Sequence, residues 1–310
     1  MSDIITVEGF EKSYGTVRAV RGISFSVREG ILFAFLGPNG AGKSTTIDTL
    51  CTLLRLQKGH VVVNGYELGR DDEAIRKSIG IVFQKSLLDR DLTVRENLML
   101  RGALYISNRN RLKERVAEVT RITGLEEFLD RRYRRLSGGQ VRRADIARAL
   151  IAEPKLLFMD EPMTGLDPKT REDIWKMLGH MQEHLGMTIF LTTHYMEEAA
   201  NADDVVIINH GKIVEEGTPA VLKEKYTRDY MMAYGYDGAL PEVVKQNGYD
   251  FIRRNDGLQI IYRGKEDALK LIGLTQAHVE NFEIKMGTMD EMFLSIIGRE
   301  ENDTPDQANA

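Results

Sequence analysis

The sequence predicts an α/β fold built on a mostly parallel sheet, and three observations carry that expectation. The stretches 31–36, 155–159 and 187–191 are short, mainly apolar runs, the pattern of strands covered on both faces. Helical stretches alternate with them at 43–54, 137–152 and 168–184. The first apolar run passes directly into a glycine-rich loop, Gly37-Pro38-Asn39-Gly40-Ala41-Gly42-Lys43-Ser44, and then into its helix.

Taken in order, Ile23, Phe25 and Val27 alternate with Ser24, Ser26 and Arg28, which predicts a half-buried strand. Glu29-Gly30 turns it into the buried run ending at Leu36. Residues 78–83 form a further short strand, and 93–105 and 111–122 are helical. Glu153-Pro154 ends the helix over 137–152. Residues 204–208 and 212–215 form a hairpin around Asn209-His210-Gly211. The texture changes near Tyr226. Residues 250–262 read as two strands around Asn255-Asp256-Gly257, followed by a helix at 265–272, a strand at 279–285 and a helix at 289–297. The expectation is therefore a main domain over 1–226 and a small α+β extension over 227–300. The polar, acidic residues 301–310 are expected to be disordered.

Composition narrows the function. A chain of 310 residues suits about two domains. Lys and Arg total 42 against 47 Asp and Glu, a formal charge of -5, which argues against nucleic acid as the main partner. The basic run Arg131-Arg132-Tyr133-Arg134-Arg135 is read as a solvated or interface surface. Cys51 is the one cysteine, which excludes an internal disulfide and fits a reducing compartment. No stretch approaches the ~20 apolar residues of a spanning helix, and the first residues do not have the pattern of a secretion signal.

The loop matches G-x-x-x-x-G-K-S/T in full, between a buried strand and a helix. Glycines let backbone N–H groups close around phosphate oxygens, and the helix start adds the positive end of its dipole. Lys43 suits the β- and γ-phosphates, and the Ser44 hydroxyl suits Mg²⁺. The strand ending Leu157-Phe158-Met159-Asp160-Glu161 supplies two acids. Asp160 is the candidate for the metal, and Glu161 for the general base toward water.

Leu136-Ser137-Gly138-Gly139-Gln140, with these two motifs, resembles the signature of ATP-binding cassette (ABC) proteins over roughly residues 4–225. The resemblance implies a parallel core, an antiparallel β subdomain and a helical signature subdomain over about 85–152. It also implies further roles. Gln84 matches the glutamine near metal and water, His194 the switch histidine, and Tyr14 the aromatic that stacks on adenine. ATP would lie on Tyr14, Gly37, Pro38, Asn39, Gly40, Ala41, Gly42, Lys43, Ser44 and Thr45. Mg²⁺ would lie on Ser44, Gln84 and Asp160. Ser137, Gly138, Gly139, Gln140 and Asp167 would act across a head-to-tail pair of cassettes, here a homodimer or a pairing with a second cassette.

Softer motifs at 92–98, 192–199 and 287–294 resemble the multidrug, antibiotic-resistance and nodulation-type exporter cassettes. Those serve a separate membrane permease, expected to dock near residues 84–105, and hold the cassette at the inner face of the cell membrane. The rival function is a soluble cassette ATPase acting on ribosomes or DNA. A single cassette without a long coiled-coil insertion speaks against it.

Overall fold

Side-chain alternation and buried runs sort the first 219 residues into two sheets. The computed structural model describes residues 2–303. Its first strands, β1 (Asp3–Tyr14) and β2 (Val17–Arg28), pair antiparallel. In β2, Ile23, Phe25 and Val27 are buried while Ser24, Ser26 and Arg28 are exposed, as the alternation requires. Next come β3 (Leu32–Leu36), α1 (Lys43–Leu50), β4 (Lys58–Val63), β5 (Tyr66–Glu67), α2 (Asp72–Ser78) and β6 (Ile79–Val82). Then follow α3 (Val94–Gly102), α4 (Arg109–Ile122), α5 (Gly138–Leu150), β7 (Leu156–Asp160), α6 (Pro168–Leu185), β8 (Thr188–Thr193) and α7 (Met196–Ala199). The hairpin β9 (Asp204–Asn209) and β10 (Lys212–Gly217) completes this part.

The antiparallel sheet runs β2-β1-β4-β5, and a six-stranded sheet runs β10-β9-β3-β8-β7-β6. In the second, β9, β3, β8, β7 and β6 are parallel, and β10 closes one edge antiparallel. Every residue of β3 and β8 is buried, because helices on one side and the antiparallel sheet on the other exclude water. Phe190 joins the layers. Its ring lies 5.1 Å from Phe33, 5.8 Å from Phe35, 5.3 Å from Phe158 and 6.3 Å from Phe25 of the antiparallel sheet. Phe190→Ala is expected to cost about 3–5 kcal/mol of stability, read as a lowered urea midpoint.

The helix expected over 43–54 stops at Leu50. Thr52 takes a left-handed backbone (φ 62°), and Leu53 and Leu54 leave the helix with both N–H groups on the Asp48 carbonyl. The helical layer is set by its caps. Thr93 and Glu96 form a capping box on α3, and Asn108 caps α4. On α4, Leu112, Val116 and Val119 face inward at helical spacing.

The chain divides after Pro219 into a second unit. At this boundary α8 (Pro219–Tyr226) begins, followed by β11 (Asp229–Tyr234), α9 (Leu240–Gln246), β12 (Phe251–Arg253), β13 (Leu258–Tyr262), α10 (Gly264–Thr275), β14 (Asn281–Lys285) and α11 (Met289–Asp303). The sheet order β12-β13-β11-β14 is all antiparallel. Each connecting helix thus joins two strands with a third inserted between them, the split βαβ arrangement. Met231, Ala233, Leu258 and Ile260 bury against Leu240, Val244 and Leu271. Of the expected disordered tail, 301–303 continue α11, and 304–310 lie outside the described residues.

Candidate functional site

The loop between β3 and α1 is shaped by two glycines. Gly42 has φ 110°, and a Cβ there would meet the Ala19 carbonyl at 2.6 Å. A Cβ on Gly37 would lie 2.3 Å from the Ile208 carbonyl. The loop is wedged between β2 and β9, and larger residues would push it out. Because Gly42 is the N-cap, α1 opens with no side-chain cap, which leaves its first-turn N–H groups, those of Lys43, Ser44 and Thr45, to a ligand. Lys43 is 4% exposed; its Nζ donates to the carbonyls of Gly37 at 2.7 Å and Pro38 at 3.1 Å. Burial lowers the Lys43 pKa, and the nearby Glu161 and Asp160 charges oppose that.

Glu161 gathers the rest of the site. It follows β7 in a left-handed backbone (φ 44°), uncommon for a residue with a side chain. Gln84 Nε2 donates to Glu161 Oε2 at 3.1 Å, and Thr164 Oγ1 donates to the same oxygen at 3.4 Å. Glu161 Oε1 lies 3.7 Å from Lys43 Nζ and 3.1 Å from His194 Nδ1. The histidine approach is close, but its angles do not make a hydrogen bond. Asp160, one residue earlier, accepts from Thr192 Oγ1 at 2.6 Å. Burial raises the Asp160 pKa, and the Thr192 hydrogen bond and Lys43 counter it. Lys43, Gln84, Glu161 and His194, chosen from sequence, thus meet around one carboxylate.

A second group gathers around the start of α5. Ser137 is its N-cap: Gln140 N donates to Ser137 Oγ, and Ser137 N donates back to Gln140 Oε1. A Cβ on Gly139 would lie 2.5 Å from Thr170 Cγ2, and one on Gly138 would lie 3.4 Å from Leu166 Cδ2. The signature therefore sits against the Asp167 loop. Asp167 caps α6 by accepting from Thr170 N and Oγ1, and those hydrogen bonds hold its carboxyl below the usual range. Tyr14 ends β1 with 48% of its surface exposed, and Lys12 Nζ lies 5.9 Å from its ring centroid.

Thr192 and Arg171 are among the residues that the sequence did not single out. Thr192 also accepts the Glu161 N–H at 3.1 Å, so it orients both acids. Arg171 Nε donates to Leu166 O at 3.0 Å while its guanidinium lies 4.9 Å from the Tyr195 ring, linking the Asp167 loop to the residue beside His194. A threonine closing the apolar run before His194 was the available signal for the first. Nothing local marked the second.

Comparison with known proteins agrees with this architecture. The ABC transporter family model matches residues 20–164. The chain is 34% identical to the daunorubicin/doxorubicin resistance ATP-binding protein DrrA of Streptomyces peucetius, over 96% of this chain and 94% of that protein. It is 43% identical to the Nod factor export ATP-binding protein I of Rhizobium sp. (strain N33), over 72% and 73%. Among solved structures, cbiO1 of Clostridium perfringens, part of the ABC transporter complex cbiONQ, superposes with TM-score 0.68 at 32% identity, covering 73% of this chain and 92% of that one. A dimeric cassette, MJ0796, in a post-hydrolysis state with ADP and Pi, gives 0.63 at 28% identity, covering 69% and 98%. With the phosphate loop, the paired acids and the signature in place, the chain belongs to the ABC transporter family, as an ATP-binding and ATP-hydrolysing subunit.

Proposed function

We propose that this subunit powers export of a drug, antibiotic or other small amphiphile through a separate membrane permease, as a head-to-tail dimer on the inner face of the cell membrane. The observation that carries the reading is the likeness to DrrA, which runs through the second unit as well as the cassette. Among the described residues no helix is long and apolar enough to cross a membrane.

The donor set fits ATP with Mg²⁺. An uncapped helix start and a buried ammonium suit phosphate oxygens, and the Ser44 hydroxyl, Gln84 amide and Asp160 carboxylate are hard oxygen donors. Among the described residues no cluster of three or more His, Cys, Asp or Glu could hold a metal, so phosphate oxygens would complete the shell. When bound, Mg²⁺ neutralises phosphate charge. Lys43 holds the phosphates, and Tyr14 stacks on the base. Glu161 accepts a proton from the attacking water as the water oxygen bonds the terminal phosphorus of ATP and the bond from that phosphorus to the departing ADP breaks. Gln84 and His194 keep that carboxylate and the water in line. Ser137, Gly138, Gly139, Gln140 and Asp167 serve the nucleotide of the facing cassette, which in a homodimer is a second copy.

A groove of about 220 Å³, lined by Leu53, Arg76, Phe83, Arg101, Leu104 and Tyr105, is the proposed seat for the permease. Leu104 and Tyr105 are 74% and 57% exposed, an apolar rim that supports docking. The test is a mild-detergent pull-down from the native cells, read by mass spectrometry. A stoichiometric polytopic membrane protein is expected. A soluble homodimer alone, or ribosomal proteins, would remove the exporter reading.

A further inference from the structure

The helix that begins at Ser137 carries three ionisable side chains, Arg142, Asp145 and Arg148, along one flank at spacings of three. All three reach one partner, the chain from β6 through Gln84 to Ser86. Arg142 Nη1 donates to Phe83 O at 2.8 Å and Nη2 to Gln84 O at 3.4 Å. Ser86 Oγ donates to Asp145 Oδ1 at 2.6 Å and accepts from the Tyr133 hydroxyl at 2.5 Å. Arg148 donates to the Ile81 carbonyl, and its guanidinium lies 5.9 Å from the Phe83 ring.

Arg142 and Asp145 are only 7% and 3% exposed. A helix that needed only to pack would do so at lower cost with apolar side chains, since buried charges repay their desolvation poorly. The segment they grip has no regular secondary structure between Phe83 and Leu92. Its carbonyls at 83 and 84 therefore take their donors from Arg142 instead of a sheet neighbour.

We infer that Arg142 and Asp145 are positioning residues that make Gln84 and Ser137 move as one body. Gln84 is bonded to Glu161 of its own site, whereas Ser137 faces the site of the second cassette. A displacement of Gln84 is thus carried along α5 to the partner's nucleotide. The inference rests on the proposed roles of Gln84 and Ser137.

The test compares Ser86→Ala, Asp145→Asn and Ser86→Thr in the full chain, with Gln84→Ala in parallel. Ser86→Ala and Asp145→Asn are expected to lower kcat about 10- to 100-fold, the scale of a small misplacement. Affinity for a fluorescent ATP analogue should stay within about twofold, because the phosphate loop is untouched. Ser86→Thr keeps the hydroxyl and should recover most of kcat. Melting temperatures separate misfolding from misplacement, and Ser86→Ala, which removes no charge, is the milder variant. Wild-type kcat in folded Ser86→Ala and Asp145→Asn, with Gln84→Ala impaired, overturns the clasp alone. Wild-type kcat in Gln84→Ala overturns the reading beneath it. Loss of kcat and affinity together, without recovery in Ser86→Thr, assigns these residues to packing.

Discussion

Glu161→Gln is expected to bind ATP about as well as the natural chain and to hydrolyse it about 10²- to 10⁴-fold more slowly, the range of a lost general base. The amide has the shape of the carboxylate. It keeps one acceptor oxygen, which can serve either the Gln84 amide, now 3.1 Å from Oε2, or Lys43, now 3.7 Å from Oε1, while its NH2 takes the other position. What it cannot do is take a proton from water. With hydrolysis stalled, the ATP-closed pair should accumulate and run as a dimer on size exclusion with ATP and Mg²⁺. Normal turnover in this variant would remove Glu161 from the role of base.

Lys43→Ala should weaken ATP binding about 10- to 150-fold, from charge-assisted hydrogen bonds worth roughly 1.5–3 kcal/mol. The effect has two sources. The phosphates lose their buried cation, and Glu161 and Asp160 are left with their mutual repulsion less opposed. Titration calorimetry with ATP and Mg²⁺ reads it directly. An unchanged affinity would mean that the loop amides alone hold the phosphates.

What could be read in advance followed the range of each interaction. The strands β3, β7 and β8 are legible because burial on both faces leaves a continuous apolar run. β1 was not identified as a strand. Its register shifts around Gly9, where φ is 57°, break the alternation that marks a half-buried strand. β11 was missed because its central residues, Met231, Met232 and Ala233, carry little strand preference. The end of α1 hangs on one left-handed residue, Thr52, that no local pattern announces.

The same holds at the site. The loop and the acids Asp160 and Glu161 stood out because their chemistry is contiguous. Gln84 and His194 came from family likeness. Their meeting at Glu161 joins residues far apart in the chain, as do the grips of Arg142 on Phe83 and of Thr192 on the two acids. The left-handed backbone of Glu161 left no mark in residue type.

Cys51 has a practical consequence. It is the single cysteine of the chain, 1% exposed at the end of α1, and burial raises its thiol pKa well above the ordinary value. A thiol held protonated and out of solvent reacts slowly with maleimides and other alkylating probes. The natural chain is therefore already a quiet background for site-directed labelling. A cysteine introduced at exposed Lys85 or Arg135 should be the one that takes a spin label or fluorophore. Distances between two copies could then be followed through the ATP cycle without first rebuilding the protein.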